Sequence, residues 1–198
     1  GIAVEEAATA FGRLRTVASD ANFSYMGVAD SILKVGVNSV ATEQEIINVT
    51  TQISSIAASA GFSTKEMIGL SGALASVRVP PELSRSIITR TFGQFDKAIQ
   101  KNGTELQTLA RVSGRSVEDI KKNWGGPGAA DIFTDFISGI RSAGGQARSE
   151  LEALGITSVR DVPALMRLAN ASDSNGVKGG LLTQTITDAK TAAGTVQE

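Results

Sequence analysis

Apolar residues recur at helical spacing through the middle of the chain. Ile46, Val49, Ile53, Ile56 and Ala60 lie three or four residues apart, which gathers them on one helical face instead of alternating them across a strand. Gly61 then supplies a conformation that helix ends favour, and Ser63 with Glu66 three residues on has the form of a capping box. Met67, Leu70, Leu74 and Val77 form a second stripe. Pro80 and Pro81 forbid its continuation but suit a new first turn, where the missing amide hydrogen has no intrahelical partner to lose. The third stripe runs Leu83, Ile87, Thr91, Phe95 and Ala98, with Arg85, Arg90, Gln94 and Lys97 on its polar side. Residues 42–101 therefore predict three helices packed on one another.

The flanks continue the pattern. Ile2 to Val17 and Phe23 to Val37 predict helices separated by the polar run Ser19-Asp20-Ala21-Asn22, giving a helical lead-in over 1–41. After Asn102-Gly103-Thr104, a short helix through Leu106, Leu109 and Val112 ends at Gly114, and Ser116 opens another with Val117, Ile120 and Trp124 on one face. Gly125-Gly126-Pro127-Gly128 is a loop, and Asp131 stands in the first turn of a helix bearing Ile132, Phe133, Phe136, Ile137 and Ile140 that stops at Gly144-Gly145. Gln146 to Leu154 and Ser158 to Ala171 complete a second helical cluster over 102–172. The stretch from Asp173 to Gly180 is polar and glycine-rich, so 173–198 predicts a hinge loop and a last helix from Leu181 to about Ala193. The expected fold is all-α: about nine short-to-medium helices with Gly and Pro corners, in part of a longer chain.

Composition narrows the chemistry. Without His or Cys the chain lacks the commonest general base, the commonest zinc ligands, thiolate nucleophiles and disulfides. Its 198 residues are 41% hydrophobic but only 5% aromatic, and their Ala, Ser, Thr and Gly content implies thin helices that approach closely. Such helices favour extended assembly over a ligand pocket. The 19 basic and 20 acidic side chains are mixed along the sequence, which argues against a phosphate-neutralising surface and a specific DNA site. No apolar run reaches the roughly 18 residues that a bilayer span needs. The start at Gly1, directly into helical sequence, carries the expectation of a longer parent protein.

Four features invite sharper chemistry, and each has a plainer reading. Gly125-Gly126-Pro127-Gly128 before a helix has a phosphate cradle's composition, but no strand precedes it and no Lys-Ser or Lys-Thr follows, so an interhelix loop is expected. Asp131 and Asp135 share a helical face, where dipole complementation and a solvated surface account for them without a metal. Trp124 reads as a core plug first and an intermolecular anchor second. Phe133 and Phe136, with Ile140, read as core, and as a membrane-seeking face if the helix is released. No catalytic, cofactor-binding or metal-binding residue is assigned; Trp124, Phe133 and Phe136 are the candidate interface anchors.

In their order and spacing, several features resemble the conserved domain of phage tail tape measure proteins. These are Ala60-Gly61-Phe62-Ser63, the helix Met67 to Val77, the Pro80-Pro81-Glu82 restart and the long third helix. Leu109-Ala110, Gly114-Arg115-Ser116-Val117-Glu118, Trp124, the Phe133 to Ile140 helix, Leu154-Gly155-Ile156, Arg160 and Leu168-Ala169 follow in the family's order, so the resemblance covers roughly residues 20 to 190. It departs after Trp124, where Gly125-Gly126 precedes the proline in place of an acidic residue.

The resemblance implies a non-enzymatic structural component of a bacteriophage tail, in the lumen of the tail tube or at the tail tip, that sets tail length and assists DNA ejection into the host. A helical rod rises about 1.5 Å per residue, so chain length converts linearly into tube length. This segment is interrupted by Gly and Pro too often for the rod itself and is expected as a compact module near one end. Implied partners are further copies of itself, tail tube and tail tip proteins, tail assembly chaperones and, after ejection, the host membrane; no cofactor is implied. The alternatives are a cell-wall-cleaving segment of the same tail protein, since paired carboxylates hydrolyse sugars without His, or a generic helical adaptor.

Overall fold

The chain is all-α. A computed structural model describes residues 4–17, 23–171 and 180–193, and among these no strand occurs. The helices are α1 (Val4–Val17), α2 (Tyr25–Asn38), α3 (Glu43–Ser59), α4 (Thr64–Ser76), α5 (Pro81–Lys101), α6 (Thr104–Ser113), α7 (Val117–Asn123), α8 (Ala129–Ala143), α9 (Ala147–Ala153), α10 (Asp161–Asn170) and α11 (Gly180–Thr191), with a 3-10 turn at Gly144–Gln146. Ile2 and the polar run from Ser19 to Asn22 lie outside the described residues, as do Asp173 to Gly179 of the expected hinge.

Local chemistry sets the helix ends. Ser63 accepts from the Glu66 amide while Glu66 reaches back to the Ser63 amide, and Thr42 and Glu45 build the same reciprocal cap on α3. Pro81 opens α5, and Asn102 and Gly114 close α5 and α6 in the left-handed conformation. Helix α10 begins at Asp161 and not at Ser158 as expected. The Ser158 hydroxyl accepts from the amides of Arg160 and Asp161 at 3.3 Å, so this serine stays outside the helix and satisfies amides that lack intrahelical partners.

The sequence pattern places one stripe on α4, but the helix is buried all round: every residue from Glu66 to Ala75 is buried. Small residues make this packing feasible. A β-carbon on Gly69 would lie 2.5 Å from the Ile186 Cα of α11, and one on Gly72 would collide with Val35 of α2. Helix α4 is thus enclosed by α2, α3 and α11, while α3 also packs on α5. In the second half, α6 and α8 cross where Gly139 abuts the Val112 carbonyl. The apolar core runs without a break from Ala10 and Leu14 of α1 to Ala189 of α11.

Several buried hydroxyls are accommodated inside their own helices. Thr50, Ser71 and Ser113 donate to the carbonyls of Ile46, Met67 and Leu109 four residues earlier. Ser31 donates to Gly27 and also, at 2.8 Å, to the Ala189 carbonyl, tying α2 to α11. Lys34 and Lys65 reach carbonyls at the end of α11, where a cation complements the helix dipole and the unpaired acceptors.

Candidate functional site

Six aromatic residues converge from four places in the chain. Spacing of three residues puts Phe92 and Phe95 on one face of α5 and Phe133 and Phe136 on one face of α8, while Phe62 comes from the α3–α4 corner and Trp124 from the end of α7. Phe62 stacks on Phe92 at 5.3 Å between ring centroids, and Phe95 meets Phe136 edge to face at 4.9 Å. Trp124 closes the cluster against Phe92 and Phe95 at 5.1 and 5.0 Å, and its indole Nε1 donates to Asp96 at 2.7 Å. Its apolar body is packed and its polar edge meets a carboxylate, as an indole at a protein surface requires.

This geometry separates the three candidate anchors. Phe133 and Phe136 have no exposed surface, so in this packing they serve the core and present nothing to a partner or a membrane. The stripe that nominates them is the one that buries them. Trp124 is half-buried and keeps surface for a second contact.

The glycine loop is anchored to the α3–α4 corner. The Gly125 amide donates to the Ala60 carbonyl at 3.2 Å, and Gly126 turns back on Asn123. Gly128 precedes α8 without a side-chain cap, and Asp131 is exposed in the first turn. The loop therefore connects two halves of the molecule through backbone contact. Asp135 is occupied: Arg115 bonds it at 2.6 Å and also holds Asp119 at 2.7 Å, bridging α7 to α8. Among the described residues no group of three or more carboxylates is disposed to hold a metal ion, and no helix is long and apolar enough to cross a membrane.

A second set of contacts grips the α9–α10 connection. Asp161, 1% exposed, receives Arg90 through Nε and Nη2 at 2.5 and 2.6 Å. Four residues along α5, Gln94 donates to the Gly155 carbonyl at 3.2 Å. The polar side of α5 is thus a clamp and not merely a wet face. Arg90 and Gln94 stand out in the sequence on that polar side, but Asp161 does not: its only signal is an acid in a helix's first turn, a position that exposed acids also favour. Further along, Arg111 and Glu150 join α6 to α9 through paired contacts of 2.8 and 2.6 Å. Those bonds from Arg111 hold the Glu150 carboxyl below its ordinary range, against the opposing effect of its partial burial.

No family model matches the chain, and neither a curated protein nor a solved structure matches it.

Proposed function

We propose that this chain is a structural segment of a phage tail tape measure protein, a compact helical module near one end of the rod, in the tail lumen or at the tip. The observation that carries the reading is the behaviour of the residues that bear the family resemblance. They lie far apart in sequence and meet in space: Trp124 on Phe95, Arg115 on Asp135 of the Phe133 to Ile140 helix, and Gln94 of the third long helix on Gly155. An ordered set of features that contact one another acts as one framework, and this framework joins helices through packing and ion pairs. Its work is mechanical: it provides a folded end that binds copies of itself and tail tube or tip proteins, and leaves ahead of the DNA.

Immunogold labelling tests this. Antibody raised against the purified chain should decorate the tails of particles induced from the bacterium that encodes it, with label confined to the tail. Particles that lack the protein altogether, or peptidoglycan clearing by the purified chain in a zymogram, would overturn the proposal.

A further inference from the structure

Three arginines border a groove where α4 ends beside α10. Arg78 follows α4, Arg148 stands in the first turn of α9, and Arg167 in the last turn of α10. With Val77, Pro163 and Met166 they line a shallow groove of about 610 Å³. None of its described lining residues is acidic, although acids outnumber bases in the chain, 20 to 19.

The arginines are available. Arg78 leans on Glu45 at 3.3 Å and Arg148 on Glu152 at 3.8 Å, both acids lying outside the groove, and the two arginines stay 69% and 60% exposed. Exposed pairs of this kind contribute little and exchange readily for other partners. Arg167 is exposed and makes no ion pair or hydrogen bond among the described residues. The ends of α4 and α10 each bring about half a negative elementary charge, which three full positive charges exceed.

The floor has a different character. Val77 and Met166 are half-buried against the main core, and a thioether side chain adapts its shape to what lies on it. A free phosphate has no use for such a floor, and a nucleic-acid strand would need stacking aromatics that this groove lacks. We infer that the groove docks a peptide segment of a partner protein in which carboxylates flank one apolar side chain: the apolar group on Val77 and Met166, the carboxylates on the arginine rim, where guanidinium groups bond carboxylates in a paired fork. The inference is independent of the tail assignment.

A labelled synthetic peptide with glutamates around a central leucine serves as the probe, titrated into the full chain and followed by amide chemical shifts. Shifts should concentrate at Val77, Arg78, Arg148, Met166 and Arg167, and the Arg148→Glu/Arg167→Glu variant, checked for unchanged helicity by circular dichroism, should weaken binding at least about tenfold. An Arg167→Lys variant preserves charge but loses the paired fork, so its affinity should fall between those of the parent and the double variant. Four results would sink the proposal: no shifts at millimolar peptide, shifts elsewhere, equal binding of a peptide with lysines in place of the glutamates, or equal shifts with inorganic polyphosphate.

Discussion

Gly61 and Gly126 meet backbone to backbone: a β-carbon on Gly61 would collide with the Gly126 carbonyl oxygen and lie 2.6 Å from its amide nitrogen. Gly61 also holds φ at 98°, a conformation that L side chains rarely adopt. The corner between α3 and α4 and the loop before α8 are therefore joined by the absence of a side chain.

Gly61→Ala should cost about 3 kcal/mol, combining left-handed strain with the forced separation of the two loops. Gly93→Ala is the internal contrast. It lies inside α5 with nothing within 4 Å of the place its methyl group would take, so alanine should stabilise by about 0.5–1 kcal/mol through helix propensity. Urea unfolding midpoints of the two variants should move in opposite directions; movement in the same direction would refute the account of the corner.

Thr91 offers a gain. Its hydroxyl is buried without a hydrogen-bond partner among the described residues, in a side chain with no exposed surface. Thr91→Val removes the unsatisfied group at nearly constant shape and should raise stability by about 1 kcal/mol. A lower melting temperature for this variant would mean that the hydroxyl has a partner after all.

The Arg90–Asp161 clamp should respond asymmetrically. Arg90→Met strands a buried carboxylate and should cost about 2–3 kcal/mol, below the range for fully buried pairs because Arg90 is half exposed. Arg90→Met/Asp161→Leu removes both charges and should recover most of that loss. A double variant as unstable as the single one would show that packing, and not charge, holds the α9–α10 connection.

Acid should loosen the joint between α6 and α9. Glu150 titrates below its ordinary 4.5 in the folded chain because Arg111 bonds it. Its contribution is therefore complete above that value and disappears as pH falls through the lower folded one. The acid limb of stability against pH should be shallower in Glu150→Gln than in the parent. Identical limbs would show that this pair contributes nothing.

Much of this architecture is legible in the apolar spacing. The stripes from Ile46 to Ala98, the Ser63–Glu66 cap and the Pro80-Pro81 restart all correspond to observed helices and ends, because they depend on residues within a turn or two of each other. The all-round burial of α4 escapes the pattern, since Gly69, Ser71, Gly72 and Ala73 read as neutral until the neighbours that need their small size are known. Contacts across long separations are equally invisible: nothing local couples Ser31 to Ala189 or Arg90 to Asp161. The same limit explains the anchors. Periodicity identifies Phe133 and Phe136 as one face of a helix, and the arrival of Phe62, Phe92 and Phe95 shows that the face turns inward.

The enclosure of α4 imposes an order on biosynthesis. Its face at Gly69 remains uncovered on the ribosome until residues around Thr185 and Ile186 have emerged, more than a hundred positions later. That surface stays unshielded throughout the interval, so α4 completes its packing only once α11 has been made.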